Sequence, residues 1–330
     1  MKVAIVYNEP DKDRLDSIDI IDQVNMVSDA LQELEYEFGM IVVGGDTCPC
    51  ADLLYQLDSF GPDVVFNLFE ALHDDPRFHP AIASFYEIGG FAYTGAPYPA
   101  LLTTTDKILT KAVLKANNLP TPPWQTFNGA ADSIRLRPPW IVKPSWEDGS
   151  VGVDEESIFT EQKALKNSLS AIYLNHRRQP LLIEEYVDGR EFNIPLVELS
   201  DGSVRVLPIS EITFEDWPED KPKIVGYKAK WDENAFEYEN TQRVFVPDDA
   251  PIDAMAEIGY RCWEVFNLGG YARVDLRLDE SGGLHVIEIN ANPCIAAESG
   301  YMRAVAEGGF EARDFVREII GAARRRRYIR

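Results

Sequence analysis

At 330 residues the chain is long enough for two or three domains. Hydrophobic residues make up 45% of it, and the aromatics are spread throughout, so a packed core can run along the whole length. A formal net charge of −23 argues against nucleic acid or an acidic membrane as the main partner.

No apolar run is long enough to span a bilayer, and Met1-Lys2-Val3 opens directly into a strand, so no signal peptide and a cytoplasmic location are expected. The four cysteines include Cys48-Pro49-Cys50, with no His or Cys cluster at zinc spacing nearby, and read as ordinary reduced thiols. Arg324 to Arg327 form a basic tail: a solvated end, or alternatively a local anion contact.

The N-terminal part alternates strand and helix. "KVAIVY" is a strand, and "VNMVSDALQEL" a helix with Val24, Val27, Ala30, Leu31 and Leu34 at helical spacing. "MIVVGGD" is a second strand, "LLYQLDSF" a helix and "PDVVFNLFE" a third strand. The alternation predicts a parallel sheet with covering helices over about the first 95 residues. The Gly/Pro-rich "YTGAPYPA" is a candidate boundary.

"TTTDKILTKAVLKANNLPTPPW" predicts a helix capped by Thr105 or Asp106 and stopped at Asn-Asn-Leu-Pro. "PPWIVKPSWEDGSVGV" is a strand ending in a glycine-containing loop, followed by the helix "TEQKALKNSLSAIYLNH". "PLLIEEYVDGREFNIPLVELSDGSVRVLPISEI" reads as strands joined by turns, one of them Asp201-Gly202. Residues 214 to 247 read as an irregular polar segment, of the kind that forms functional loops. The helix "DAMAEIGYRCWEVFN" and the hairpin "GGYARVDLRLDESGGLHVIEINANP", turning at Ser281-Gly282-Gly283, complete the pass.

The hairpin carries the most chemistry. Alternation puts Arg273, Asp275 and Arg277 on one face of its first strand, and Glu288 and Asn290 on one face of the second. A carboxylate and a carboxamide side by side in an apolar strand need a partner or water. If Asp275 pairs near Glu288, the three oxygen donors converge and suit hard Mg²⁺, which shares its shell with phosphate oxygens. Arg273 would then stand where charge develops on a transferring phosphoryl group. The same face read without a ligand is a solvated one with ordinary ion pairs.

Elsewhere, Lys143 ends an apolar strand, and "EDGSVG", with Gly149 and Ser150, can wrap phosphates with backbone N–H groups or be a plain surface turn. "LLIEEYVDGREF" supplies Glu184, Glu185 and Glu191. The backbone of Glu185, Tyr186 and Val187 could hydrogen-bond an adenine edge, and Glu191 could accept from ribose hydroxyls; as an isolated run, its acids would face solvent.

The order "DK…TK", "VKPSWEDGSVG", "LIEEYVDGREF", "ARVDLRL", "VIEINANP" resembles the ATP-grasp superfamily, and within it the D-alanine–D-alanine ligase-like enzymes. "FNLFEALHDDPRFHPAIASFYEIGGFAYTG" is similar to that group's N-terminal domain, so the resemblance covers nearly the whole chain. It implies an α/β fold, α+β in the ATP-binding part, in three domains: residues 1–97 with a parallel sheet, 98–184, and 185–330 carrying the metal site. It implies that Lys107, Lys143 and Ser150 lie by the nucleotide phosphates, and that Glu184, Glu185, Tyr186, Val187 and Glu191 hold adenosine. Lys230 would reach the terminal phosphate as its loop closes, Arg273 would stabilise the transition state, and Asp275, Glu288 and Asn290 would ligate Mg²⁺, with Mn²⁺ as a substitute. The implied activity joins a carboxylate to an amine at the expense of ATP through an acyl phosphate. The implied partners are the two small-molecule substrates and, since the family is often dimeric, a second copy of the chain.

Departures fall on the substrate side. The Gly-rich turn of D-alanine ligases after the first strand is "YNEPDKDRL" here, Gly149 replaces a Ser or Thr, Trp231 replaces a Tyr after the loop lysine, and Cys294 replaces a glycine near the reacting acyl group. Ser299 matches the family serine near the acceptor amino acid. Three readings follow: a ligase for an amino acid or small peptide-like acid, a D-alanine–D-alanine ligase proper, or a nucleotide-binding regulatory module. The turn "EALHDDPR" follows a parallel strand's C-terminal end, where ligands of open α/β sheets bind. There Arg77 could hold a substrate carboxylate and Glu70 its ammonium; alternatively Asp74, Asp75 and Arg77 form a surface ion-pair cluster.

Overall fold

A computed structural model of the chain describes residues 1–11, 14–44, 49–73, 75–130, 133–245 and 249–326. Cys48, Asp74 and Arg327, which figure in the readings above, lie outside the described residues. The chain opens with β1 (Lys2–Asn8), α1 (Leu15–Glu33), β2 (Glu37–Val43), α2 (Pro49–Phe60) and β3 (Val64–Asn67). The three strands pair in parallel in the order β2-β1-β3. Val3, Ala4, Ile5 and Val6 are all buried, the continuous apolar run expected of a parallel strand covered on both faces.

After α3 (His79–Gly89) and α4 (Tyr98–Thr105) comes α5 (Lys107–Ala116), the helix expected after Thr105 or Asp106; Asp106 caps it and it stops at Asn117, the first residue of Asn-Asn-Leu-Pro. Asp106 is extended between α4 and α5, and its Oδ1 accepts from the Ile108 and Leu109 amides at 2.9 and 3.2 Å. The same carboxylate accepts from Ser145 Oγ at 2.7 Å and Trp146 Nε1 at 3.2 Å. Those bonds hold the chain extended between α4 and α5.

Next come β4 (Trp124–Phe127), β5 (Trp140–Pro144), β6 (Ile158–Phe159), α6 (Gln162–Asn175) and β7 (Leu181–Glu185). These strands form an antiparallel sheet in the order β4-β7-β5-β6, over a core of its own that includes Phe127, Trp140, Val142, Leu165 and Ile183. Then β8 (Gly189–Glu198), β9 (Val204–Val206) and β10 (Ser210–Phe214) lead to two short helices, α7 (Tyr227–Trp231) and α8 (Phe236–Glu239), and to β11 (Thr241–Phe245). The segment expected to be irregular is thus partly structured. Trp217 packs on Phe214 and Phe236 at ring-centroid distances of 4.9 and 5.5 Å, and Lys221 reaches Glu155 and Glu237, both at 2.7 Å. A polar sequence hides that order because the apolar contacts come from a few widely spaced aromatics.

The chain ends with α9 (Ile252–Val265), β12 (Tyr271–Asp279), β13 (Leu284–Ala291), α10 (Gly300–Glu307) and α11 (Ala312–Arg325). Among the described residues the second antiparallel sheet runs β11-β10-β8-β12-β13, with β9 added on β8. The apolar packing of α11 continues into that of α1 and β1: Phe315, Val316 and Ile319 share one core with Ile5, Ile20 and Val24. Among the described residues no helix is long and apolar enough to cross a membrane.

Asp106→Ala removes a helix cap and two further acceptor contacts and is expected to cost about 1–2 kcal/mol, while Asp106→Asn, whose carboxamide still caps, keeps most of that stability. Denaturant titration of both variants checks this.

Candidate active site

A cleft of ≈ 970 Å³, its open mouth included, lies between the two antiparallel sheets. Period-two alternation builds its first wall. Trp140 and Val142 of β5 enter the sheet's own core, so Ile141 and Lys143 face the cleft; likewise Ile183 of β7 is core and Glu184 faces out. Lys143 Nζ lies 2.9 Å from Glu184, and Lys111 of α5 lies 2.6 Å from the same carboxylate. Lys111 and Glu184 are each only 1% exposed. Burial pushes the Glu184 carboxyl up, but the two ammonium groups outweigh it and hold the group below its usual range.

The facing wall is the β12–β13 hairpin. Asp275 stands opposite Glu288, and Arg273 opposite Asn290. A bulge after Asp275 inserts Ile287, so that Ile287 and Glu288 both line the cleft although they are consecutive. Arg273 grips Asp275 through Nε and Nη2 at 2.7 and 2.8 Å. Asn193 and Asn290 also donate to Asp275, at 2.8 and 3.0 Å. Glu288 pairs with Lys107 of α5 at 2.8 Å. Burial raises the Glu288 carboxyl, yet Lys107 and Lys230 prevail and bring it down to about 2. Lys107 also reaches the Glu147 carbonyl at 2.6 Å and Asp148 at 3.2 Å, which ties the hairpin to the loop after β5.

That loop and the segment before α7 close over the cleft together. Trp231 Nε1 donates to the Gly149 carbonyl at 2.9 Å, Ser150 Oγ to the Val225 carbonyl at 2.7 Å, and the Tyr227 amide to the Val153 carbonyl at 3.1 Å. Gly149 has φ +61°, a left-handed conformation that a Ser or Thr would hold under strain. The closure places Lys230 in the cleft, where burial, and then the charge of Arg273, lowers its proton affinity.

Asp275, Glu288 and Asn290 offer two carboxylates and a carboxamide, a hard-oxygen donor set that fits Mg²⁺. Their positive neighbours, Lys107 and Arg273, neutralise both acids in the structure. Among the described residues no group of three His, Cys, Asp or Glu could hold a metal ion, so this donor set depends on the Asn290 oxygen and on oxygens of a bound phosphate.

The remaining predicted residues divide. The amides of Glu185 and Tyr186 already donate to the carbonyls of Pro123 and Pro139, at 3.0 and 2.8 Å, so neither is available to an adenine edge. The Glu185 carboxylate pairs with Arg137 at 3.2 Å. Val187 and Glu191 line the cleft, and Glu191 is paired with Arg277 at 2.6 Å. Arg277 and Tyr186 both donate to the Lys223 carbonyl, at 2.6 and 3.1 Å.

On the substrate side, Glu70 accepts from Gln23 Nε2 at 2.9 Å, and Gln23 Oε1 accepts from the Ile295 amide at 3.1 Å. The Cys294 thiol donates to Asp19 at 2.8 Å. Burial, and then Asp19, holds that thiol well above its usual range, so it stays protonated and is no nucleophile. Ser299 Oγ caps α10 by accepting from the Met302 amide at 3.2 Å. Arg77 lies outside the cleft lining, half exposed; it clasps Asp75 with both Nε and Nη2 and stacks on Trp146 at 4.9 Å, which pairs two of the three residues of the alternative cluster, the third, Asp74, lying outside the described residues. Of the polar residues that the sequence reading gave no role, five stand out: Lys111, Asn193, Arg243, Asp19 and Gln23. Lys111 carries a signal, since it follows Lys107 by one helical turn; the other four meet the site only through long-range packing.

Two antiparallel sheets clasping a cleft lined with lysines and paired carboxylates define an ATP-grasp protein. The model of the D-ala D-ala ligase C-terminus family matches residues 113–321, and the chain belongs to that family. It is therefore an ATP-dependent ligase of the kind that forms carbon–nitrogen bonds. It is 30% identical over 313 residues to the uncharacterized protein y4sG of Sinorhizobium fredii, covering 90% of this chain and 86% of that one. It is 27% identical to the D-alanine–D-alanine ligase of Moorella thermoacetica, over 98% of this chain and 99% of that one. The fold matches the Bacillus anthracis D-alanine–D-alanine ligase crystallised with ATP at a TM-score of 0.76 and 18% identity, over 98% of both chains.

Glu184→Gln leaves Lys111 buried without its counter-charge and is expected to destabilise the chain by about 3–5 kcal/mol in a denaturant titration. Acid sensitivity has a definite sign. Glu288 ionises at about 2 in the folded chain against 4.5 unfolded, so the unfolded chain binds more protons in that window. Its contribution is complete above about pH 4.5 and is lost as the pH falls towards 2. Glu288→Gln should flatten the fall of the denaturation midpoint across this range.

Proposed function

We propose that the chain joins the carboxylate of an amino acid or small peptide-like acid to an amine, through an acyl phosphate made from ATP. The convergence of Lys107, Arg273, Asp275, Glu288 and Asn290 at the loop that carries Gly149 and Ser150 is the observation that carries this reading. We further infer a division into residues 1–97, 98–184 and 185–330, supported by the three separate sheets.

In this reading adenosine lies between Ile141 on one wall and Ile287 on the other, with the Val187 amide at the base edge and Glu191 near the ribose. Lys107, Lys143 and the Ser150 loop take the phosphates. Mg²⁺, held by Asp275, Glu288 and Asn290, would offset the charge of the phosphate oxygens. A substrate carboxylate oxygen attacks the terminal phosphorus and ADP leaves; Arg273 and Lys230 stabilise the charge on the transferring group. The amine then attacks the acyl carbon, phosphate departs, and the nitrogen loses a proton to give the amide. The Trp231–Gly149 and Ser150–Val225 bonds exclude water, which would otherwise hydrolyse the acyl phosphate.

The relatives' substrate, D-alanine, is not carried over. Cys294, bonded to Asp19, changes the pocket that a glycine leaves open in those enzymes. An ADP-release assay over a panel of D- and L-amino acids, with mass spectrometry of the products, tests the proposal. An ADP-forming amide product supports it, and nucleotide binding without turnover on any pair would sink it. Glu288→Gln is expected to lower turnover by at least roughly tenfold at limiting Mg²⁺, the scale of a damaged metal site. Wild-type turnover under those conditions would remove Glu288 from the metal set.

A further inference from the structure

Three arginines line the cleft, and two have a carboxylate: Arg273 has Asp275 at 2.7 Å and Arg277 has Glu191 at 2.6 Å. Among the described residues Arg243 of β11 does not. Its hydrogen bond is to the Asn193 Oδ1, at a long 3.3 Å, and its Nε is buried with no hydrogen-bond partner among the described residues. Asp275 lies nearby, but Arg273, Asn193 and Asn290 already occupy its oxygens.

Charges of both signs surround Arg243, Asp275 and Glu191 among them, but neither pairs with it among the described residues. A Cβ at Gly300 would fall 2.1 Å from the Arg243 Cζ, so the guanidinium packs on the first residue of α10, and a glycine there leaves it room. The N-terminal end of a helix carries partial positive charge. Burial above all, and then Arg273 and Arg303, lower the proton affinity of the guanidinium against the opposing pull of Asp275 and Glu191. A half-buried cation with an unsatisfied N–H, set against two arginines and a helix N-terminus, is unfavourable until an anion joins it.

We propose that Arg243, at the N-terminal end of α10, is the receptor for an oxyanion at the reacting end of the cleft: either the transferring phosphoryl group or a carboxylate on the amine-bearing substrate. This rests on the reading of the cleft as an ATP site. Arg243 is then a binding residue that selects for charge, and Asn193 positions it by accepting from Arg243 while donating to Asp275.

The test uses the full chain loaded with ADP and Mg²⁺, titrated separately with inorganic phosphate and with acetate while tryptophan fluorescence is followed. Wild type is expected to bind at least one of them. Arg243→Gln should weaken that anion by at least roughly tenfold, the scale of a lost charge-assisted hydrogen bond, with ADP affinity unchanged. Arg243→Lys should fall between. Gly300→Ala should weaken the same anion with the arginine still present, which separates the effect from any folding defect of the arginine variants. Loss confined to phosphate assigns the transferring group, and loss confined to acetate assigns a substrate carboxylate. Equal anion binding by wild type and Arg243→Gln, or no binding of either anion by wild type, overturns the proposal. A wild-type chain that does not bind ADP overturns the ATP reading instead.

Discussion

The ion pair between Lys107 and Glu288, 2.8 Å long, is the contact on which the cleft's geometry turns. Lys107 is the first residue of α5, and it occupies that position because Asp106 breaks the chain out of one helix and caps the next. Glu288 faces it because a bulge in the β12–β13 pairing sets the register on that face. One turn along α5, Lys111 does for Glu184 what Lys107 does for Glu288. A single helix thus neutralises one acid from each antiparallel sheet, and it holds the two walls at a fixed distance. Such buried charges are costly to leave unpaired, so the pairs specify one arrangement of the sheets more than they add net stability.

Closure over this framework is made of hydrogen bonds, not of apolar packing. Trp231, Ser150 and Tyr227 each bond to a backbone carbonyl across the gap between two loops. Bonds of this kind contribute modestly and individually, about 1 kcal/mol each. Trp231 and Gly149 both differ from the usual D-alanine ligase residues, and they contact one another. They therefore form one contact between the two closing segments.

The substrate side is organised differently. Asp19 and Gln23 of α1 reach Cys294 and the Ile295 backbone, so the N-terminal parallel sheet and the hairpin's exit are held by a polar network. Glu70 joins it through Gln23. A glycine at position 294 could not make the thiol's bond to Asp19. The two residues thus join α1 to the segment after β13.

What the sequence determined by itself was the set of elements and the faces they present. Period-two alternation is a property of the strand, so it puts Glu288 and Asn290 on one face of β13 and Arg273 and Asp275 on one face of β12, while their convergence on one patch waits on the bulged pairing of the two strands. The parallel N-terminal sheet follows from its continuous apolar strands, and the family from the order of its motifs. What only the tertiary structure decided was partnership. Arg77 has its acid two residues away and uses it, so its charge is absorbed locally. The amides of Glu185 and Tyr186 go to Pro123 and Pro139, far earlier in the chain, which no local pattern encodes. Arg243 lies on an edge strand inside a segment whose composition reads as irregular, and Gly300, which makes room for it, belongs to a helix beyond the hairpin. Periodicity reports which side of an element a residue occupies; which charges then meet, and which one is left over, depends on how distant elements pack.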